Sequence, residues 1–166
     1  MQNILNGKVF LFGNNVDTDQ IYPGRFVEFT DVSDVAKYAM FGADENFTKK
    51  IKSGDFIVGG TNFGCGSSRE HAAITLKAVG VGAVIAESFA RIFYRNGINL
   101  GLPLLVVPNI TKLVKAGESI KVNIQTCEIT KDDKVIAKIE PISEYMLNIL
   151  KNGGIKPLIK KELEKI

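Results

Sequence analysis

Apolar residues recur along this chain in two rhythms. Short, almost continuous apolar runs bounded by Gly, Pro or Asp occupy residues 8–12, 55–59, 83–86 and 104–107, the form of strands covered on both faces. Between them, apolar positions return at helical spacing over residues 33–41, 69–79 and 88–95. The middle of the chain therefore reads β-α-β-α-β, with parallel strands expected. After Ser119 the pattern changes. Residues 121–125 and 134–139 alternate apolar and polar side chains around the turn-like Lys131-Asp132-Asp133, which predicts an antiparallel hairpin. Helical spacing resumes over 143–151, with Tyr145, Met146, Ile149 and Leu150 on one face; Gly153-Gly154 ends it and a last short amphipathic helix follows. The expected class is α/β with a mixed parallel and antiparallel sheet. No repeat or linker divides the chain, so one domain over residues 1–166 is expected.

Composition narrows this little. The 166 residues are 45% hydrophobic and 23% charged, as in one soluble domain of ordinary size. A chain this long buries roughly 68–70% of its unfolded surface, so its core needs no disulfide or structural metal. The longest nearly apolar stretch, 98–108, is about half the ~20 residues of a membrane-spanning helix, and Met1-Gln2-Asn3-Ile4-Leu5-Asn6 lacks the blocks of a signal peptide. A cytoplasmic protein with no membrane partner is expected. Net charge is +3, and residues 151–166 account for it with five lysines against two glutamates. The tail reads as a solvated terminal helix. The remainder is balanced and carries no basic patch interleaved with aromatics, so nucleic acid is not an expected partner. Cys65 and Cys127 stand 62 residues apart with a single His, His71, too few ligands for a metal or cluster site in this chain alone.

Candidate chemistry concentrates in Gly59-Gly60-Thr61-Asn62-Phe63-Gly64-Cys65-Gly66-Ser67-Ser68-Arg69-Glu70, which leads from a buried strand through a glycine loop into a helix. Such a junction aims backbone N–H groups and the positive end of the helix dipole at one place, and so favours an anion. It is not a nucleotide loop: Gly66 stands where a Walker loop needs Lys, and Arg69 where a dinucleotide loop needs its third Gly. Two hydroxyls and a guanidinium suit a carboxylate. The same residues also read as a capping box, with Ser67 at N-cap and Glu70 at N3, worth ~1 kcal/mol and no chemistry. Paired serines, an Arg where the dipole disfavours cations, and three glycines within seven residues favour the carboxylate site. A second polar cluster, Asn14-Asn15-Val16-Asp17-Thr18-Asp19-Gln20-Ile21, follows the first strand. It lacks the terminal Glu of a calcium loop and reads either as a polar turn or as a carboxylate orienting the Arg or Ser of the neighbouring loop. His71 reads as packed or surface, and Cys65 as a small residue chosen for fit.

These segments carry a resemblance. Val16-Asp17-Thr18-Asp19-Gln20-Ile21-Tyr22-Pro23-Gly24-Arg25, Asn62 to Ala72, and Ala86-Glu87-Ser88-Phe89-Ala90-Arg91-Ile92-Phe93-Tyr94-Arg95-Asn96 resemble, in order and spacing, the small subunits of aconitase-family dehydratases, most of all the short stand-alone type of 3-isopropylmalate dehydratases and the related homoaconitases and 2,3-dimethylmalate dehydratases. The resemblance implies a swivelling β/β/α domain. It implies a hydro-lyase that removes water from a hydroxy di- or tricarboxylate and returns it at the neighbouring carbon, which for isopropylmalate exchanges the 2- and 3-isomers on the way to leucine. It implies a partner large subunit whose cysteines hold a [4Fe-4S] cluster, with no cofactor in this chain and no activity of this chain alone. Carried over by motif, Ser67 is the catalytic base acting as an alkoxide, Ser68 and Arg69 bind a substrate carboxylate, and Asp19, Gly64 and Gly66 support the site. Backbone N–H groups, helix dipole and Arg69 would make that alkoxide less costly once water is excluded.

In related small subunits the loop Gly24-Arg25-Phe26-Val27-Glu28-Phe29-Thr30 lies over the variable end of the substrate. Homoaconitase-like loops place an Arg there for the additional carboxylate, and isopropylmalate-type loops an apolar residue. Glu28 departs from both. Phe26, Val27 and Phe29 are expected to line a pocket for an alkyl group, with Glu28 turned to solvent. A non-catalytic carboxylate-binding module of the same fold is the alternative from a different class; the presence of both serines and Arg69 speaks against it.

Overall fold

The computed structural model describes all 166 residues, Met1–Ile166. Its strands are β1 (Ile4–Leu11), β2 (Phe56–Gly59), β3 (Ala83–Ala86), β4 (Leu104–Val106), β5 (Ser119–Asn123), β6 (Glu128–Lys131) and β7 (Lys134–Lys138). They form one seven-stranded sheet in the order β4-β3-β2-β1-β5-β6-β7. β1 to β4 pair in parallel, whereas β5, β6 and β7 are antiparallel to their neighbours. The class is α/β with a mixed sheet, as the apolar pattern predicts.

The sheet changes type within β1. Val9, Phe10 and Leu11 pair with β2, and Ile4 to Lys8 pair with β5. That antiparallel half shows Ile4, Asn6 and Lys8 to solvent, so it is not part of the continuous apolar run. The strand therefore begins four residues before the expected 8–12 and ends one residue earlier.

Residues of the parallel strands alternate between two cores. Ile57, Val84, Ala86 and Leu104 face a core shared with Phe47, Leu76, Phe93 and Ile149. Phe56, Val58, Ala83, Ile85 and Leu105 face a second core shared with Ile120, Val122 and Ile129 of the antiparallel strands. For one sheet to bring both ends to the same core it must curl on itself. Both faces of β2 and β3 are thus covered, which explains their unbroken apolarity. β5 is covered on one face and alternates.

The helices are α1 (Thr18–Ile21), α2 (Val32–Ala36), α3 (Phe47–Lys50), α4 (His71–Val79), α5 (Arg91–Asn99), α6 (Ile110–Leu113), α7 (Glu144–Lys151) and α8 (Ile155–Leu163), with a 3-10 turn at Gly24–Phe26. Several expected boundaries are corrected. The helix expected over 33–41 ends at Ala36, because Met40 takes a left-handed conformation and its N–H bonds Ile21 O. The helix expected over 88–95 is displaced to α5, because Ser88 and Phe89 are tied to Phe63 in the loop before it. The helix expected from Arg69 begins at His71. The expected hairpin is a three-stranded meander: β6 intervenes, and Asp132 and Asp133, both at positive φ, turn β6 into β7. With Ile129 its one buried residue, β6 shows no alternation to read. α8 is the expected amphipathic tail, seated by Leu158 with its lysines exposed.

Candidate functional site

The loops after β1, β2 and β3 leave the carboxyl ends of neighbouring parallel strands, where open α/β sheets gather ligand-binding groups. They are sewn together by their backbones. Gly60 N donates to Gly13 O (3.0 Å), Asn15 N to Thr61 O (2.8 Å), Gly64 N to Val16 O (2.7 Å) and Thr18 N to Cys65 O (2.8 Å), while Phe63 N donates to Ser88 O (3.0 Å) and Ala90 N to Phe63 O (2.9 Å). Gly64 is required by proximity and conformation: its φ is +86°, and a Cβ there would stand 2.2 Å from the Phe93 ring. Gly66, at φ +103°, carries the chain past Thr18, whose Oγ1 would lie 3.2 Å from a Cβ.

Ser67 and Ser68 emerge from this frame exposed. The Ser67 hydroxyl lies 2.9 Å from Thr18 Oγ1, and the Ser67 backbone N–H donates to the same Thr18 oxygen at 3.1 Å. The capping-box reading of Ser67 and Glu70 is overturned. The N-cap of α4 is Glu70, whose side chain makes no capping bond, and Ser67 lies outside the helix. The backbone N–H groups of Ser68, Arg69 and Glu70 have no acceptor within the chain. They stand beside the Ser67 hydroxyl at the positive end of α4, an arrangement suited to anionic oxygen. A true capping box occurs in the other loop: Asp17 Oδ1 accepts from Gln20 N (2.7 Å) and Gln20 Oε1 from Asp17 N (3.0 Å).

Arg69 is held by two acceptors. Its Nη1 donates to Tyr22 O at 2.8 Å and to Asp19 Oδ1 at 3.3 Å, which engages both hydrogens of that nitrogen and leaves Nη2 and Nε for an incoming carboxylate. Asp19 also accepts from Gly24 N at 2.9 Å. The Gly24 N–H first, and the Arg69 guanidinium second, hold the Asp19 carboxyl below the usual carboxylate range. Both readings of the polar cluster are therefore realised: Asp17 makes the turn and Asp19 orients the Arg. An open cleft of about 360 Å³ borders Asp19, Arg25 and Phe41 beside this pair.

The loop at 24–30 is braced from beneath. Phe26 stacks on Tyr38 at 3.9 Å between ring centres and meets Phe41 edge-on at 5.3 Å. Tyr22 Oη donates to Phe26 O at 2.5 Å, and His71, stacked on Tyr22 at 5.3 Å, places Nε2 3.3 Å from Phe29 O. His71 is thus a packed residue. Phe26 and Phe29 both belong to this aromatic cluster, Phe29 stacking on Tyr38 at 5.5 Å and on Phe26 at 6.4 Å; Phe26 is half-buried, and Val27, Glu28 and Phe29 are exposed. Cys65 lies in the loop before α4 and Cys127 precedes β6, both free. No group of three or more His, Cys, Asp or Glu is arranged to hold a metal. Thr18 and Tyr22 are site residues the sequence reading missed. Thr18 reads in sequence as one more polar residue of Asp17-Thr18-Asp19, and its burial appears only in the structure. Tyr22 acts through its carbonyl, which no side-chain pattern reveals.

A family model described as the aconitase C-terminal domain matches residues 14–109, the stretch that holds all these loops. The isopropylmalate/citramalate isomerase small subunit of Methanocaldococcus jannaschii is 50% identical over 164 residues, 98% of each chain. The 3-isopropylmalate dehydratase small subunit 1 of Methanopyrus kandleri is 47% identical over 163 residues, 98% of this chain and 96% of that one. A crystal structure of 3-isopropylmalate dehydratase from Methanocaldococcus jannaschii matches with a TM-score of 0.90 at 45% identity, over 96% of this chain and 95% of that one.

Proposed function

This chain belongs to the aconitase C-terminal domain family, and from that premise we propose that it is the small subunit of a 3-isopropylmalate dehydratase, a hydro-lyase that interconverts 2- and 3-isopropylmalate in leucine biosynthesis. The observation that carries the reading is the meeting, at one helix end, of the Ser67 hydroxyl, three free backbone N–H groups and an Arg69 anchored through Nη1 with Nη2 and Nε making no bond within the chain. A module that only bound a carboxylate would need the Arg and the N–H groups but not a hydroxyl set among them.

Ser67 Oγ, as its alkoxide, takes a proton from the substrate carbon. The C–H electron pair becomes the new double bond, the neighbouring C–O bond breaks, and hydroxide leaves and is protonated to water. Rehydration at the other carbon reverses these events, and Ser67 returns the proton. Arg69 and Ser68 bind a substrate carboxylate, with Asp19 fixing the guanidinium and Gly64 and Gly66 giving the loop its path. The three N–H groups and the helix end stabilise the alkoxide, more strongly once the exposed site is closed off from water. Departure of the hydroxyl calls for a Lewis acid, which a [4Fe-4S] cluster held by cysteines of the partner large subunit would supply. This chain does not fit such a group: it has two cysteines, on different loops, and Cys127 Sγ is turned to Ile124 O at 3.5 Å. No helix is long and apolar enough to cross a membrane, and a cytoplasmic site of action follows from the reading.

The test is reconstitution. Purified alone, the chain is expected to be iron-free and inactive; mixed anaerobically with the large subunit, it is expected to interconvert 2- and 3-isopropylmalate. Ser67→Ala should lower turnover by roughly 10²–10⁴, the range for a positioned acid-base group. Full activity of that variant would remove Ser67 as the base, and iron bound by this chain alone would overturn the division between subunits.

A further inference from the structure

We propose that Thr18 is the hydrogen-bond donor that keeps Ser67 Oγ an acceptor and stabilises it as an anion. The inference rests on the reading of Ser67 as the base. A threonine hydroxyl has one proton and two acceptor positions. The Ser67 N–H already donates to Thr18 Oγ1 at 3.1 Å, and the other contact of that oxygen is Ser67 Oγ at 2.9 Å. If Ser67 donated, Thr18 would accept twice and its own proton would be left without a partner, although the residue is 3% exposed. Buried hydroxyls do not leave that bond unmade. Thr18 therefore donates, and the Ser67 proton is the one free to leave.

The position of Thr18 is over-determined. Its N–H bonds Cys65 O at 2.8 Å, and it is the first residue of α1, enclosed by the capping box of Asp17 and Gln20. Glycine at position 66 leaves the lane between the two loops clear, since a Cβ there would approach Thr18 Oγ1 to 3.2 Å. The donor thus reaches the base from the β1 loop, opposite in the chain from the backbone N–H groups that follow Ser67. Thr18 touches the base and not the substrate, and is a positioning residue.

The experiment uses the reconstituted two-subunit enzyme. Thr18→Val keeps the shape and removes the donor. Its kcat should fall about ten- to hundredfold, the worth of a hydrogen bond to a charged group, with KM within about twofold. The rising limb of the kcat–pH profile should move to higher pH by about one unit, because an unassisted alkoxide is more basic. Thr18→Ser should restore kcat and the profile, and Thr18→Cys, a weaker donor that still fills the site, should lie between them. In a Ser67→Ala background, Thr18→Val should cost nothing further. An unmoved pH limb, failure of Thr18→Ser to rescue, or an equal loss in the Ser67→Ala background would overturn the proposal and leave Thr18 a packing residue. If Thr18→Val does not assemble, the Cys and Ser variants decide by the same limb. A normal Ser67→Ala enzyme instead overturns the reading of the base itself, so the two failures are distinguishable.

Discussion

As the proposed carboxylate receptor, Arg69 is prepared by what its other hydrogens are given to do. With Nη1 spent on Tyr22 O and Asp19, its plane is fixed before substrate arrives. Lysine has no second nitrogen to divide between anchor and ligand. Arg69→Lys should therefore raise the apparent KM about ten- to hundredfold, the loss of one charged hydrogen bond, and leave melting little changed; an unaltered KM removes Arg69 from the carboxylate site. Asp19→Asn should shift KM the same way but less, because Tyr22 O still holds the guanidinium. Asp19 also has a signature in pH. Its native pKa lies below the ordinary carboxylate value, so its contribution to stability is full above that ordinary value and is lost as pH falls through the native one. The effect is small, since the Asp19 side chain is 72% exposed and solvent screens the pair. Melts of native protein and Asp19→Asn across that acid range should converge as pH falls; a constant gap would mean the ion pair is not its source.

At the scale of elements, two short loops exchange the roles their sequences suggest. Ser67-Ser68-Arg69-Glu70 has the spacing of a capping box, yet α4 starts after it, because Arg69 is drawn to Asp19 and Tyr22 and Ser67 to Thr18. Asp17 and Gln20 form the real box and start α1, the turn that carries both Thr18 and Asp19. Capping and chemistry are thus separated: Ser67→Ala removes no cap and should cost only its hydrogen bond with Thr18, about 0.5–1.5 kcal/mol. Asp17→Ala should cost ~1 kcal/mol, roughly 2–4 °C in Tm at this chain length, and lower turnover too by loosening α1. A loss in Ser67→Ala beyond that single bond, measured by thermal melts, would reinstate Ser67 as a structural residue.

At the scale of the whole molecule, the serines of the proposed site stand open to solvent. Ser67, Ser68, Val27, Glu28 and Phe29 are each exposed, and in the proposed reading Val27 and Phe29 meet the alkyl group, with Phe26 stacked against Phe29. In the closed enzyme, Glu28 beside a further substrate carboxylate would repel it by several kcal/mol, whereas each alkyl methylene buried against Val27 and Phe29 contributes about 0.8 kcal/mol. The reconstituted enzyme should therefore prefer alkyl-substituted malates over homoaconitate at least tenfold in kcat/KM. A preference for homoaconitate defeats the loop argument, and activity on dimethylmalate alone keeps it with a different substrate. Local periodicity was enough to settle the α/β class, the parallel strands covered on both faces and the terminal amphipathic helix, because each follows from side chains near one another in sequence. Strand β6 was not legible, since one buried residue makes no pattern. Nor were the true start of α4, the stacking of Phe26 on Tyr38, or the partners of Ser67 and Arg69. Thr18 and Asp19 stand 49 and 50 residues from the groups they hold, and only the parallel pairing of β1 with β2, which sets their two loops side by side, could decide which hydroxyl meets the serine and which carboxylate the guanidinium.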